Sequence, residues 1–195
     1  MIQHFFQNIE GWFNFIAIYH HAVQIAEDGD HFVEVGAWKG KSTAFLATEI
    51  ANSGKKIKFD VIDTWMGSDV HQEDPSVKAG TLYEEFINNM KPVEGFYKPI
   101  QTTSVEAAKL YEDESLDMVL IDANHAYDEV KEDILAWLPK VRPGGILAGD
   151  DYHHTWPGVI RAVGECLPVE DVQVIDGCTW AWQKPYKDEV DSETK

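Results

Sequence analysis

The sequence predicts an α/β fold in which a doubly wound, mostly parallel sheet ends in a C-terminal antiparallel hairpin. Short apolar segments of strand length alternate with amphipathic segments of helical period, the order expected of a parallel sheet with helices on both faces. Several apolar segments stop at a glycine or an aspartate, as strands do where ligands bind at their carboxyl ends. The last two apolar segments of the chain lie on either side of Asp176-Gly177, a pair of residues typical of tight hairpin turns.

In the first half of the chain, apolar residues at helical spacing predict an N-terminal helix, and the strand after it ends at Gly36. The polar stretch around Pro75 shows neither period and is predicted to be a loop. The predicted elements are a helix at 12–27, a strand at 31–36, a helix at 42–50, a strand at 56–62, a long loop at 66–80, a helix at 81–90 and a strand at 97–101.

In the second half, Pro139 and the pair Gly144-Gly145 mark the end of an amphipathic helix. The chain contains no repeat or linker, so residues 1–183 are predicted to form one domain with an N-terminal helical cap at 1–28, and the charged residues 184–195 a disordered tail. The predicted elements are a short helix at 105–110, a strand at 116–121, a helix at 127–138, a strand at 146–148, a helix at 157–166, and hairpin strands at 172–175 and 178–182.

The composition is that of a globular protein, since 44% of the 195 residues are hydrophobic and 26% are charged. The formal net charge of −18 argues against binding to nucleic acids or to anionic membranes, because both carry phosphate. No apolar run reaches the ~18 residues that span a bilayer. The two cysteines, Cys166 and Cys178, fit neither a metal spacing nor a disulfide scaffold, which predicts a cytoplasmic location.

Residues 34–43 (EVGAWKGKST) join the first strand to the next helix. Gly36 permits a sharp turn and the close approach of a ligand, and Gly40 precedes a helix N-terminus, whose N–H groups attract anions. The spacing differs from the dinucleotide fingerprint G-x-G-x-x-G, and the bulk of Trp38 favours a smaller charged group such as an amino-acid carboxylate. A tight turn that binds no ligand would use the same glycines.

Polar residues also follow the second and third strands. Asp63 could accept hydrogen bonds from both hydroxyls of a ribose, or it could cap a helix. The hydroxyls of residues 102–104, Thr103 and Ser104 among them, could bind an adenine edge or form the N-cap of the next helix. Both positions are candidates for a nucleoside site.

Three aspartates follow the fourth and fifth strands: Asp122, Asp150 and Asp151. Adjacent strand ends lie about 5 Å apart. The carboxylates would therefore repel and raise one another's pKa unless they bind a cation. Oxygen ligands favour Mg²⁺, Mn²⁺ or Ca²⁺, so we expect a metal site here, although helix caps or solvated surface residues are the alternative.

His125 lies three residues after Asp122 and should occupy the loop above that metal site. The ordinary histidine pKa of about 6.5 suits a general base at neutral pH. His153 and His154 follow Asp151 and are rivals for the same role.

On these residues, the chain resembles the small metal-dependent O-methyltransferases of the class I S-adenosylmethionine (SAM)-dependent methyltransferase superfamily. Residues 34–42 look like the SAM glycine motif of catechol O-methyltransferase, residues 115–122 like its fourth strand, and residues 148–151 (AGDD) like its remaining metal ligands. His125 stands where that family has its catalytic lysine. Residues 150–152 (DDY) and 157–162 (PGVIRA) are closer to the sugar O-methyltransferases of macrolide and aminocoumarin biosynthesis.

The resemblance implies a Rossmann-like class I methyltransferase fold and metal-assisted O-methylation of a small-molecule hydroxyl, sugar-like or catechol-like. Asp122, Asp150 and Asp151 would hold Mg²⁺ or a similar ion, and His125 would remove the acceptor proton. The residues expected to contact SAM are Glu34, Gly36, Ala37, Trp38, Gly40, Ser42, Thr43, Asp63, Thr64, Thr103, Ser104 and Asp122. A metal-independent methyltransferase, a non-catalytic SAM- or nucleotide-binding protein and a nicotinamide oxidoreductase are the alternatives.

The N-terminal helix and the loop at 66–80 are expected to form a lid and the acceptor pocket, with Trp65, His71, Tyr152 and Trp156 as candidate lining residues. The apolar N-terminal segment also offers a surface for a homodimer.

Overall fold

The protein forms one seven-stranded sheet. The structure is a computed structural model that describes residues 1–68 and 71–186. Its strands are β1 (His31–Val35), β2 (Lys58–Asp63), β3 (Lys98–Gln101), β4 (Leu116–Ile121), β5 (Val141–Gly149), β6 (Gln173–Ile175) and β7 (Thr179–Gln183), in the order β3-β2-β1-β4-β5-β7-β6. Strands β1 to β5 are parallel, whereas β7 pairs antiparallel with both β5 and β6.

Helices cover both faces of the sheet, so there are two apolar cores. The helices are α1 (Ile16–Ile25), α2 (Lys41–Ser53), α3 (Pro75–Ala79), α4 (Leu82–Asn89), α5 (Ser104–Ala108), α6 (Tyr127–Trp137) and α7 (Pro157–Cys166). Phe45 and Phe86 belong to the core beneath α1, α2 and α4, and Ile134 and Trp137 to the core beneath α5, α6 and α7. The predicted doubly wound α/β fold and its C-terminal hairpin are confirmed.

The strand order reverses between β1 and β4, which are neighbours in the sheet although β2 and β3 separate them along the chain. Chains that leave two such strands diverge to opposite faces, and this divergence opens a crevice at the carboxyl ends of the strands. The predicted site residues lie at these ends.

The N-terminal helix is shorter than predicted, because α1 begins at Ile16 rather than at residue 12. Gly11 has a φ of +132°, which ends any helix there, and its carbonyl accepts a hydrogen bond of 2.8 Å from Lys41 Nζ. The aromatic residues before α1 pack on Phe45 as a cluster of rings instead of forming one helical stripe. Residues 11–15 are therefore not helical, and three of them line the crevice at the carboxyl ends of the strands.

Two further predictions need correction. The loop at 66–80 contains α3, which is too short to show a helical period and is capped by the Asp74 carboxylate on the Ser76 N–H. Strand β5 begins at Val141 rather than at the predicted residue 146, and it includes Gly144-Gly145, the pair predicted to mark the end of the preceding helix. The pairing of β4 with β5 shifts register at this point, and an irregular ladder accepts glycines inside a strand.

The residues directly after the predicted domain boundary at 183 contact the sheet. The Lys184 N–H donates to the Gly145 carbonyl at 2.9 Å, and a Cβ on Gly144 would meet the Tyr186 ring at 2.5 Å. Residues 184–186 are thus packed on the sheet, while residues 187–195 of the predicted tail lie outside the described residues. None of the helices in the described part of the chain is long and apolar enough to cross a membrane.

Candidate active site

A cavity of about 700 Å³ opens at the carboxyl ends of the central strands. Its size is that of a small-molecule binding site. Most of the predicted site residues line it: Gly36, Ala37, Trp38, Ser42, Asp63, Thr64, Ser104, Asp122, His125, Asp150 and Asp151. Parts of the chain more than 100 residues apart in sequence thus meet in one crevice.

The glycine turn is set by close contact with the end of β4. Gly36 has a φ of +90°, and a Cβ placed on it would lie 1.9 Å from the carbonyl oxygen of Asp122. The Asp122 N–H in turn donates to the Val35 carbonyl at 2.7 Å. Only glycine fits here, so the backbone of the turn is exposed to the cavity directly beside Asp122.

Asp63 holds this turn in place. One carboxylate oxygen accepts the N–H groups of Ala37 at 2.7 Å and Trp38 at 2.9 Å, and the other accepts the Trp65 N–H at 2.7 Å. These bonds support Trp38 in its left-handed backbone conformation, with a φ of +51°. Asp63 therefore shapes the site as well as lining it, and its contact with a ribose stays a prediction.

Four of the residues predicted to contact SAM do not line the cavity: Glu34, Gly40, Thr43 and Thr103. Glu34 is completely buried beneath the turn, where it accepts hydrogen bonds from Tyr19 Oη at 2.8 Å and Thr43 Oγ1 at 2.5 Å. This burial raises the pKa of Glu34 to about 7. Glu34 and Thr43 support the turn from below, and Thr103 is exposed outside the cavity.

The three predicted aspartates do meet at the end of β4 and β5. Burial, together with the charges of Asp150 and Asp151, raises the pKa of Asp122 well above its ordinary value. Burial likewise raises the pKa of Asp150. The carboxylates are close enough to oppose one another's ionisation, and a bound cation would remove that conflict.

The set of side chains best placed for a cation differs from the predicted one. Asp122, His125 and Asp151 each offer a ligand atom within 4.8 Å of the others, and among the described residues they are the one such group of His, Cys, Asp and Glu. His125 Nε2 lies 2.5 Å from Asp151 Oδ2. Asp150 instead accepts a hydrogen bond of 3.3 Å from Thr179 Oγ1 on β7. Two carboxylates and an imidazole fit a divalent cation.

Two pairs of stacked rings line the cavity. Trp38 stacks on His71 with ring centroids 3.9 Å apart, and Trp156 stacks on His125 at 4.1 Å. His153 and His154, the predicted rivals of His125, do not line the cavity. The interruption of the apolar pattern at Gly11 was the available signal that the N-terminal segment contributes to the cavity lining. Sequence reasoning did not identify the individual lining residues of this segment. These are Gly11, Trp12 and Asn14.

The profile of a protein family described as "Methyltransferase domain" matches residues 33–152, which is more than half of the chain. This range includes the cavity-lining residues from the glycine turn to Asp151. The chain belongs to this methyltransferase family. It is a SAM-dependent methyltransferase domain with the Rossmann-like class I fold.

Solved structures of methyltransferases share this fold. The O-methyltransferase NovP is 18% identical, with a TM-score of 0.67 over 88% of this chain and 79% of that one. CalS11, a TDP-rhamnose 3'-O-methyltransferase of calicheamicin biosynthesis, is 15% identical, with a TM-score of 0.61 over 86% and 76%. An rRNA methylase from Streptococcus thermophilus is 14% identical, with the same TM-score over 88% and 96%, so the fold by itself does not select the acceptor.

One curated relative, the protein y4gI of Sinorhizobium fredii, is 26% identical over 119 residues. The match covers 61% of this methyltransferase and spans 13% of the relative's length.

Proposed function

We propose that this methyltransferase transfers the methyl group of SAM to a hydroxyl of a small molecule, with the assistance of a divalent cation. The observation that carries the proposal is the convergence of Asp122, His125 and Asp151 in the cavity that also receives the glycine turn. Similarity of fold to NovP and CalS11, which are O-methyltransferases by name, supports the same chemistry.

Each part of the site has a role in this reaction. The exposed backbone at Gly36 and the start of α2 suit the amino-acid end of SAM, and Asp63 lies where its ribose is expected. Asp122 and Asp151, with His125 or Asp150, would hold Mg²⁺ or a similar ion. Such an ion, when bound, lowers the pKa of a hydroxyl and orients it. The remaining task of the protein is to exclude water and align the two reactants.

With Asp150 as the third ligand of the ion, His125 would be the base that takes the acceptor proton. Its ring is held between the Asp151 carboxylate at 2.5 Å and the stacked Trp156 indole. A carboxylate that accepts from an imidazole stabilises the ring when it gains a proton. This pair also favours a second candidate function, in which His125 and Asp151 act as an acid–base pair and no metal takes part.

The two candidates differ in their response to a chelator. Purified protein is incubated with SAM and a panel of sugar and catechol hydroxyl acceptors, with Mg²⁺ or with excess EDTA, and the formation of S-adenosylhomocysteine (SAH) is measured. We expect SAH to form with an acceptor and Mg²⁺, and EDTA to abolish it. Turnover that EDTA leaves unchanged favours the metal-independent reaction. Failure of both SAM and SAH to bind in calorimetry contradicts either form of the proposal.

A further inference from the structure

A second cavity adjoins the first on the side of the N-terminal segment, and we call it the side chamber. It has a volume of about 430 Å³. Four of its lining residues, Gly11, Trp12, Trp38 and His71, also line the active-site cavity. The two spaces therefore share a wall formed by these four residues.

The shared wall is a row of aromatic rings. His71 lies between two indoles, with its ring centroid 3.9 Å from that of Trp38 and 5.9 Å from that of Trp12. Trp12 is 78% exposed although its segment is anchored through the Lys41 bond to Gly11. Such rings offer flat apolar contact to a sugar or aromatic ring, and indoles attract cations to their faces.

The remaining lining of the side chamber is acidic: Glu10 and Asp74. Hydrogen bonds from Ser76 and Lys39 lower the pKa of Asp74 to about 2, so it is ionised at neutral pH. The nearest ammonium, Lys39 Nζ, lies 2.7 Å from Glu10, 3.0 Å from Asp74 and 3.4 Å from Glu85. Three carboxylates share one cation, and the chamber keeps a net negative charge.

The active-site cavity adds one cation against four carboxylates. Lys41 is the one Lys or Arg that lines either cavity within residues 1–68 and 71–186, and its ammonium already binds the Gly11 carbonyl. The acidic lining consists of Asp63, Asp122, Asp150 and Asp151. Proteins bind phosphate with Arg, Lys or helix N-termini, and the side chamber has none of these to spare.

From this distribution of charge we infer that the acceptor carries no phosphate or carboxylate, and that a protonated amine on the acceptor strengthens its binding in the side chamber. The inference rests on the proposed function, because it concerns the acceptor of that same site. It separates this chain from an enzyme that methylates a nucleotide-linked sugar, as the name of CalS11 states for that protein. The shared aromatic wall would contact the ring of the acceptor, with Glu10 and Asp74 near its amine.

The test compares acceptors that differ in charge on one scaffold. Binding to the protein–SAH complex is measured by calorimetry for 4-(2-aminoethyl)catechol, 4-methylcatechol and 3,4-dihydroxybenzoate, and for glucosamine, glucose and glucose 1-phosphate. We expect the amine to bind best and the anion worst in at least one series, with the difference decreasing as salt rises. The inference is overturned if the anion binds as tightly as the amine in both series, or if neither amine binds.

A variant assigns the effect to the side chamber. Glu10→Gln removes one charge from a side chain that is 74% exposed, and Asp74 and Glu85 remain to pair with Lys39. We expect the preference for amine over anion to fall about twofold to fivefold, the size typical of an exposed charge pair, while SAH affinity is unchanged. Glu84→Gln is the matched control, since it removes the same charge outside both cavities and should leave the preference unaltered. An unaltered preference in Glu10→Gln overturns the role of the chamber.

The two proposals fail in different ways. If SAH itself does not bind, the proposed function is wrong. If SAH binds and anionic acceptors are preferred, only the inference about the acceptor is wrong.

Discussion

Two groups of three carboxylates occur within this molecule, and they behave in opposite ways. Glu10, Asp74 and Glu85 surround the ammonium of Lys39, whereas Asp122, Asp150 and Asp151 meet at the ends of β4 and β5 and make no ion pair with a Lys or Arg within residues 1–68 and 71–186. In the first group the pKa of Asp74 is lowered to about 2. In the second group the pKa values of Asp122 and Asp150 are raised.

The difference distinguishes a cluster with a structural role from the cluster that we propose is functional. Lys39 is buried, and its three ion pairs tie the N-terminal segment, the residue before α3 and helix α4 around the glycine turn. The aspartates have no such lysine or arginine partner in the part of the chain that the structure describes, so protons, His125 or a metal ion would relieve their repulsion. Clusters of acidic residues in a cleft therefore become informative about function once their counter-charges are known.

The largest expected effect is the loss of activity in Asp122→Asn, which removes one carboxylate of the second group and a proposed ligand of the cation. We expect methyl transfer to fall on the order of 10³-fold, because an ion held at this position contributes several kcal/mol to the reaction. The melting temperature should stay equal or rise, because a buried charge conflict is relieved. SAH formation measures the activity, and thermal unfolding measures the stability. A variant that has a lower melting temperature but keeps its specific activity would show that Asp122 has a structural role instead of a catalytic one.

Lys39→Met tests the paired group. The substitution leaves three carboxylates without their cation, so the free energy of unfolding should fall by about 3 kcal/mol. This value is the lower end for breaking a buried ion pair, because the Glu10 side chain is 74% exposed. Urea denaturation measures this change. Lys78→Met is the matched control, since the Lys78–Glu73 pair is exposed on both sides and should contribute less than about 1 kcal/mol. Equal losses in both variants would refute the structural role of Lys39.

Glu34 is a third arrangement, a buried carboxyl whose partners are hydroxyl groups. Its pKa rises from the ordinary 4.5 to about 7 in the folded protein, so the folded state binds more protons than the unfolded state between these pH values. The contribution of Glu34 to stability is therefore present at low pH and lost as pH rises, by about 2 kcal/mol between pH 5 and pH 7. Urea denaturation across this range should show a weaker decline in Glu34→Gln than in the wild type. Identical slopes would show that Glu34 does not titrate there.

The smallest effect expected is stabilisation by a metal ion. At a free Mg²⁺ concentration about ten times its Kd, binding adds about 1.4 kcal/mol, which corresponds to a rise of roughly 3–5 °C in Tm for a domain of this size. The rise should disappear in Asp122→Asn and persist in Lys39→Met, with NaCl of equal ionic strength as the control. A rise that survives in Asp122→Asn would locate the ion elsewhere.

The amino-acid sequence by itself determined the alternation of strands and helices and the position of the main catalytic candidates. Strand β4 and helix α7 have the predicted bounds, because a buried apolar run and a proline at the first helical position are local signals. Gly36, Asp63 and the three aspartates were found because they end strands, and the ends of parallel strands meet at one edge.

Only the tertiary structure decided which partner each of these carboxylates has. Asp150 turns to Thr179 because β7 lies antiparallel beside β5, and His125 reaches Asp151 because the end of β4 lies beside that of β5. The neutralising partner of Asp74 comes from the glycine turn, 35 positions earlier in the chain. The direction in which the pKa of a carboxyl shifts depends on burial and on partners brought together by folding, and neither is encoded in the spacing of residues along the chain.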